Sequence, residues 1–306
     1  MQSNHIAVEI EKVSKSFGEV LAVNDLSLKV PQGCIYGLIG PNGSGKTTTM
    51  RMIMNIFYPD SGAIKLFGKR TQGAVFDDIG YLPEERGLYK KMTVREILEF
   101  YGKIKNGKNL KAEIERWLQK LDLTEWRDKK IEILSKGMSQ KVQFIATVVF
   151  KPRLLILDEP FTGLDPVNMD VLREALVELS SQGSTVILST HDMQVAEEMC
   201  DFICMIFKGN KVLDGTMTEI QKKYGRDTLR VQSEDDLSSI KTIAGIESLR
   251  DLGQVKEIRF DAKQDPQDIV RKIMAKNRVR GFEIISPSLH DIFVRIVREN
   301  MGVENA

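Results

Sequence analysis

The segment that most constrains the fold of this chain is a glycine-rich octapeptide made of Gly40, Pro41, Asn42, Gly43, Ser44, Gly45, Lys46 and Thr47. It lies between a short apolar run at residues 35–39, which predicts a buried strand, and apolar residues at helical spacing from Met50 onward. Glycines let backbone N–H groups close around phosphate oxygens, and the following helix adds the positive end of its dipole. We therefore predict a phosphate-binding loop in which Lys46 reaches the β- and γ-phosphates of a nucleotide and the Thr47 hydroxyl holds Mg²⁺.

Apolar runs that alternate with helical patterns predict a parallel sheet covered by helices. Three short runs, the first at residues 154–157, are continuously apolar, as expected for parallel strands buried on both faces. Residues 93 to 150 show mostly helical spacing, and Thr93 with Glu96 forms a capping box. Within residues 6–30, apolar and polar residues alternate instead, which predicts strands with one solvated face. This alternation of strands and helices indicates the α/β class.

Two carboxylates, Asp158 and Glu159, follow directly after the apolar run at residues 154–157. Ligands of open parallel sheets bind at the carboxyl ends of the strands. We expect Asp158 to bind Mg²⁺, directly or through water, and Glu159 to orient and deprotonate an attacking water. The second carboxylate favours hydrolysis over transfer to another substrate; the alternative is that the pair only caps a strand.

Two further segments add polar groups near helix or strand ends. His191 closely follows the buried run at residues 186–188, which places it at the same sheet edge as Asp158. A lone histidine is usually structural, but the other motifs favour contact with a γ-phosphate or with Glu159. Ser135 and Gly137 open a predicted helix and form a second anion site. One nucleotide does not need two such sites, so we expect this one to serve the nucleotide of a partner chain; alone, it is an ordinary helix cap.

Together these motifs resemble those of the ATP-binding subunits of ABC transporters, in the same order, over about residues 5–225. The matching segments are residues 40–47 for the Walker A loop, 134–138 for the signature, 154–159 for Walker B, 163–165 for the D-loop and His191 for the switch histidine. The resemblance implies a P-loop NTPase fold. Such a fold has a RecA-like parallel sheet core, an N-terminal antiparallel β part and a helical subdomain, here at about residues 85–150.

The same resemblance implies roles for individual residues. Those that would bind ATP are Phe17, stacked on the adenine, the loop residues 40–47, and Thr48. Those implied to be catalytic are Glu159, His191 and Lys46, and those implied to hold Mg²⁺ are Thr47, Asp158 and Glu84. Those implied to contact the partner's ATP are Ser135, Lys136, Gly137 and Met138, with Asp165 of the D-loop linking the two sites.

The implied partners are a second copy of the chain and an integral membrane permease. In the family, two copies close head to tail around two ATP molecules, and the permease would dock near residues 84–101. The expected location is therefore the cytoplasm, peripheral at the inner face of the cell membrane. The formal net charge is only +1 and is evenly spread, so we expect no nucleic-acid partner.

This chain departs from the family pattern at two places. Glu84 stands where a Q-loop glutamine is usual, which adds a negative charge beside the γ-phosphate. Lys136 and Met138 replace the usual glycine and glutamine of the signature. Within the family, residues 81–89 and 287–293 resemble the NatA-type sodium and drug export group.

A change of pattern near residue 225 predicts a second domain. We divide the chain into an ATP-binding domain at residues 1–225 and a small α+β accessory domain at residues 226–306, a dimer-stabilising or regulatory module. The cysteines Cys34, Cys200 and Cys204 form no CxxC pair, and buried thiols are favoured over a metal site with His191.

Three alternatives to a transport ATPase stay open from the sequence. A soluble ABC ATPase of translation or repair shares the motifs, but usually has two cassettes or a long coiled-coil insertion. A P-loop GTPase or kinase does not need the signature, and the guanine motif NKxD is missing because Val212 and Leu213 follow Asn210 and Lys211. A regulatory subunit that hydrolyses little is the third, because of Glu84.

Overall fold

The computed structural model describes residues 5–71, 77–84, 87–225, 227–233, 235, 237, 240, 242–261, 264–275 and 277–300. The chain forms two compact units, Met1–Gly215 and Thr216–Ala306. The sequence predicts the boundary after Gly225, which is one helix beyond the boundary in the structure. None of the helices within the described ranges is long and apolar enough to cross a membrane.

The first unit combines two sheets with a set of helices. Its strands are β1 Ile6–Phe17, β2 Val20–Pro31, β3 Ile35–Ile39, β4 Ser61–Leu66, β5 Lys69–Arg70, β6 Ile79–Leu82, β7 Leu154–Asp158, β8 Thr185–Thr190, β9 Phe202–Phe207 and β10 Asn210–Gly215. Its α-helices are α1 Lys46–Ile53, α2 Val94–Ile104, α3 Leu110–Lys120, α4 Lys136–Val148, α5 Pro166–Ser181 and α6 Met193–Met199. Two short 3₁₀ helices lie at Thr124–Trp126 and Ile131–Ile133.

The larger sheet has the strand order β10-β9-β3-β8-β7-β6. Its strands β9, β3, β8, β7 and β6 pair in parallel, and β10 pairs antiparallel with β9 at one edge. The central strands β3, β7 and β8 are buried at every residue, as their continuous apolar runs predict. An antiparallel sheet of order β2-β1-β4-β5 packs beside it, so the predicted α/β fold with an antiparallel part is confirmed.

Helices α2, α3 and α4 form the predicted helical region. The capping box at the start of α2 is confirmed: the Thr93 side chain accepts from the Glu96 N–H, and the Glu96 carboxylate accepts from the Thr93 N–H. The fully buried Trp117 of α3 packs edge-to-face on Phe144 of α4, with ring centroids 5.7 Å apart. This apolar contact fixes α4, whose first turn carries signature residues, relative to α3.

The three cysteines are free and buried in the first unit. Burial raises the pKa of the Cys34 and Cys200 thiols to about 12 in each case, and it also raises the pKa of Cys204. The thiols are therefore protonated near neutral pH and behave as small apolar core groups. Among the described residues, no group of three histidine, cysteine or acidic side chains is arranged to hold a metal ion.

The second unit is a small α+β fold. Its elements are α7 Met217–Tyr224, β11 Thr228–Gln232, β12 Ile246–Asp251, β13 Val255–Phe260, α8 Pro266–Met274, β14 Gly281–Ile285 and α9 Leu289–Asn300. The antiparallel sheet has the order β12-β13-β11-β14, and its buried residues, among them Leu229 and Phe260, pack in one cluster with Ile269 and Ile273 of α8. Strand β12 is not predicted by the sequence, because its apolar residues do not alternate, and the strand has a register shift after Ile246.

Candidate nucleotide-binding site

The glycine-rich loop connects β3 to α1 and is pressed against the neighbouring backbone. Gly40 has φ +146°, and a Cβ there would lie 2.1 Å from the carbonyl oxygen of Ile206. Gly45 has φ +111°, and a Cβ there would lie 2.4 Å from the carbonyl oxygen of Ala22. The loop path therefore requires glycine at both positions, both for its dihedral angles and for space. Two strands, β2 and β9, thereby set the shape of the loop.

Lys46, the first residue of α1, is almost fully buried. Its ammonium donates to the carbonyl oxygens of Gly40 at 2.8 Å and Pro41 at 3.2 Å, and it lies 3.9 Å from Glu159 Oε1. Desolvation lowers the pKa of Lys46 from its ordinary value, and the nearby carboxylates of Glu159, Asp158 and Glu84 act in the opposite direction. The cation thus lies between the loop and three acidic side chains.

Asp158, at the carboxyl end of β7, has one satisfied and one unsatisfied carboxylate oxygen. Oδ1 accepts a 2.6 Å hydrogen bond from Ser189 Oγ. Oδ2 is buried, as is the whole residue, which is only 1% exposed. Oδ2 has no hydrogen-bond partner among the described residues. A buried carboxylate oxygen without a donor fits a hard divalent cation, since Mg²⁺ takes oxygen ligands. The residues present therefore fit a magnesium ion.

Glu159 is held by contacts from three other parts of the chain. Its N–H donates to Ser189 Oγ at 2.9 Å, and its Oε2 accepts from Thr162 Oγ1 at 3.3 Å. Its Oε1 lies 3.0 Å from Nδ1 of His191, the residue directly after β8. Glu159 is only 6% exposed and its backbone is in the left-handed region, at φ +48°. These contacts orient the carboxylate, so the site can place a base and a histidine beside one reacting group.

A cavity of about 540 Å³ lies beside the glycine-rich loop, and Asp158 and His191 are not among the described residues that line it. The predicted residues along it include Asn42, Lys46, Thr47, Thr48 and Glu159, together with Glu84 from the segment after β6. The structure thus brings together the glycine-rich loop, Glu159 and Glu84, the residue at the Q-loop position. The roles of these residues toward ATP stay predictions.

Phe17 is the residue that the family resemblance implies would stack on the adenine. Phe17 is not part of the cavity lining; it packs edge-to-face on Phe57 with centroids 5.3 Å apart, and it is 44% exposed. Val20 and Leu21 at the start of β2 line the cavity and are exposed by 67% and 47%. Neither residue was predicted from the sequence to line the site, although an apolar pair directly after a turn could have indicated it. The stacking role of Phe17 stays a prediction.

The signature residues lie apart from this cavity, at the start of α4. Ser135 caps the helix, and its Oγ accepts from the Met138 N–H at 3.2 Å. Lys136 is exposed, while Gly137 and Met138 are partly exposed. None of these residues is among those that line the cavity around Lys46. Their contact with a partner's nucleotide stays a prediction.

Asp165 begins α5, as the sequence predicts. Its side chain accepts from the Asn168 N–H at 3.0 Å, and Pro166 follows as the first helical residue. The hydrogen bonds from Asn168 lower the pKa of Asp165 from its ordinary value. The carboxylate is therefore ionised and serves as a cap, and its role between two sites stays a prediction.

A glycine-rich loop between a parallel strand and a helix, with two carboxylates at the end of another strand of the same sheet, defines a P-loop nucleoside triphosphatase. The family model described as ABC transporter matches residues 23–162. A second model, the C-terminal domain of the DrrA1-3-like ATP-binding proteins, matches residues 215–297. The chain belongs to the ATP-binding subunits of ABC transporters, and it is an ATPase.

Several relatives are similar over most of their length. The uncharacterized ABC transporter ATP-binding protein YhaQ of Bacillus subtilis (strain 168) is 40% identical over 290 residues, which cover 94% of this chain and 97% of YhaQ. The bacitracin transport ATP-binding protein BcrA of Enterococcus faecalis is 34% identical, covering 78% of this chain and 77% of BcrA. The Nod factor export ATP-binding protein I of Rhizobium leguminosarum bv. viciae is 32% identical, covering 97% and 96%.

A solved structure of an ATP-binding subunit of an ABC transporter has the same fold. It is 31% identical, with a TM-score of 0.66, and the matched region covers 71% of this chain and 93% of the solved chain. These names favour the transport family over the soluble ABC ATPases and over the GTPases and kinases. The narrower resemblance to the NatA-type group stays a prediction.

Proposed function

We propose that this chain powers export through a separate membrane permease by closing, as a Mg²⁺-ATP-dependent homodimer, around two nucleotides. The observation that carries the proposal is the position of Glu159, whose carboxylate lies between Lys46 at 3.9 Å and His191 at 3.0 Å beside the glycine-rich loop. A carboxylate held in this way is placed to accept a proton from an attacking water.

In the proposed reaction, the glycine-rich loop and Lys46 hold the phosphates through backbone N–H groups and the ammonium. Glu159 orients a water toward the γ-phosphate and takes its proton, and the departing phosphate leaves ADP behind. His191 lies on the carboxylate of the base, where it holds the base and steadies the γ-phosphate. The charges gathered around the loop lower the barrier by positioning and electrostatics.

The proposed metal is Mg²⁺, held by the Thr47 hydroxyl, Asp158 and Glu84. The support is the buried, unsatisfied Oδ2 of Asp158, together with Thr47 and Glu84 on the same cavity wall. When bound, the ion neutralises charge on the phosphate oxygens. Glu84→Gln removes one negative charge from this group, so we expect the concentration of Mg²⁺ needed for half-maximal ATPase activity to rise severalfold. An unchanged Mg²⁺ requirement would remove Glu84 from the metal site.

The proposed dimer is head to tail. Its support is that Ser135 and Gly137 lie outside the cavity of their own chain, at the start of α4. A helix start with an exposed hydroxyl and backbone N–H groups suits the phosphates of a second chain's nucleotide. Asp165, at the start of α5, would lie between the two sites.

The proposed permease contact is the helical region after Glu84. Its support is a group of exposed aromatic and apolar side chains, in which Tyr89 is 59% exposed, Phe100 39% and Ile104 56%. Tyr89 and Phe100 pack edge-to-face with centroids 5.9 Å apart. An exposed apolar patch of this kind marks a protein contact. Docking there would keep the chain in the cytoplasm, peripheral at the inner face of the membrane.

The test of the proposal is Glu159→Gln, which keeps the shape of the side chain but removes the base. We expect ATP binding within about twofold of the unmodified chain, loss of at least 100-fold in turnover, and an ATP-bound dimer that persists on size exclusion. Asp170→Asn, an exposed carboxylate on α5, is the control and keeps wild-type turnover. Wild-type turnover by Glu159→Gln would show that another group is the base.

A further inference from the structure

The signature helix α4 contacts the loop that carries Glu159 in the same chain. Gln140 Nε2 donates to the carbonyl oxygen of Thr162 at 2.7 Å. One turn earlier, Lys136 Nζ lies 3.3 Å from the point that a Cβ on Gly163 would occupy. Residues 136 and 140 share one face of the helix because they are four positions apart. One face of α4 therefore lies against two consecutive loop residues, and Gln140 donates a hydrogen bond to the first of them.

The same loop holds the carboxylate of the proposed base. Thr162 Oγ1 donates to Glu159 Oε2 at 3.3 Å, and the Thr162 N–H donates to the Glu159 carbonyl oxygen at 3.3 Å. Two hydrogen bonds thus separate the Gln140 amide from the Glu159 carboxylate. Glu159 itself is in the left-handed region, a strained backbone state for a residue with a side chain. Such a state persists only where its surroundings hold it.

The amide of Gln140 is costly for stability at this position. The residue is only 7% exposed, and its Oε1 is buried without a hydrogen-bond partner among the described residues. A buried acceptor without a donor is unfavourable, whereas methionine would fill a similar volume without that atom. Packing alone therefore does not account for glutamine here. The hydrogen bond that its amide donates to Thr162 accounts for the glutamine.

We propose that Gln140 is a positioning residue for ATP hydrolysis, which couples the signature of a chain to the base of that chain's own site. The inference rests on the proposed function, because it takes the start of α4 to contact the partner's nucleotide. When Ser135 and Gly137 engage that nucleotide, α4 is fixed, and Gln140 holds Thr162 and thereby Glu159 in place. Each nucleotide thus favours hydrolysis of the other.

The experiment compares Gln140→Met with Gln143→Met, a glutamine of the same helix that is also buried. For Gln140→Met in the full chain, we expect kcat to fall roughly 10- to 100-fold, with KM and ATP affinity within twofold. The Mg²⁺-ATP dimer should also persist longer, because hydrolysis reopens it. Gln143→Met should keep its kcat within twofold. Equal losses in both variants would indicate a structural role and overturn the proposal.

Thr162 provides a second, independent test. Thr162→Val removes the hydroxyl at nearly constant volume and should lower kcat by a similar factor, while Thr162→Ser should restore it. The double variant Gln140→Met with Thr162→Val should lose no more than the worse single variant, because both interrupt one path. The coupling would be refuted if the two losses in kcat multiplied in the double variant, or if Gln140→Met kept the wild-type kcat. Wild-type turnover in Glu159→Gln would instead refute the proposed function.

Discussion

Replacing Gly45 by alanine tests whether the glycine-rich loop needs glycine for space as well as for its dihedral angles. At Gly45, φ is +111° and an added Cβ would lie 2.4 Å from the Ala22 carbonyl oxygen, roughly 1 Å inside van der Waals contact. Gly183 is the matched control, because it has φ +99° and no atom within 4 Å of an added Cβ. Both variants bear the dihedral strain, but only Gly45→Ala bears the clash.

The expected magnitudes follow from these two terms. Dihedral strain costs about 1–3 kcal/mol, so Gly183→Ala should lose that much free energy of unfolding. The clash adds about 1–3 kcal/mol for Gly45→Ala, a total of about 2–6 kcal/mol. At about 2–4 °C per kcal/mol for a unit of this size, the two melting temperatures should differ by several degrees. Relief of the clash also displaces the loop.

Loop displacement should appear in ATP affinity. Loss of two charge-assisted hydrogen bonds to phosphate, at about 1.5 kcal/mol each, weakens binding about 100-fold. The assay is a fluorescence titration with ATP and Mg²⁺, combined with thermal unfolding of the same samples. Gly183→Ala should bind ATP like the unmodified chain. If Gly45→Ala bound ATP normally and had the same melting temperature as Gly183→Ala, the steric argument would be wrong.

Two further predictions concern ion pairs. In the second unit, Asp227→Ala leaves the nearly buried guanidinium of Arg295 without its bidentate partner, so calorimetry should show a loss of about 3–5 kcal/mol, against under about 1 kcal/mol for the exposed Asp268→Ala. In the first unit, the hydrogen bond from Lys120 lowers the pKa of Glu178 from 4.5, so its stabilisation is present above pH 4.5 and is lost as the pH falls toward the depressed pKa. The melting-temperature difference between the unmodified chain and Glu178→Gln should therefore shrink in acid, and a constant difference would contradict this assignment.

Local patterns identified the features that depend on neighbours in the chain. The capping box of Thr93 with Glu96 and the cap of α5 by Asp165 use groups within a few residues, so their geometry follows from spacing. The glycine-rich loop is visible in the sequence, but its path also depends on β2 and β9. The strand β12 was missed because its pattern is interrupted after Ile246. β12 is an irregular edge strand, so a pattern of apolar residues with a period of two does not reveal it.

Contacts between distant segments needed the tertiary structure. Gln140 and Thr162 are 22 positions apart, and Glu159 and His191 are 32 apart, so their hydrogen bonds depend on how the strands are ordered and how α4 packs. The position of Phe17 against Phe57 is of the same kind. No local period encodes which side chains such packing brings within hydrogen-bond distance.

The sequence by itself determined which residues are candidates for the chemistry: a glycine-rich loop, two carboxylates after a buried strand, and a serine and a glycine at a helix start. Each candidate is a short run of neighbouring residues, so the sequence shows it directly. The tertiary structure alone decided how these parts are connected. It placed Glu84 on the cavity of Lys46 and joined α4 to Glu159 through Thr162, because both contacts arise from the packing of segments that are remote in the chain.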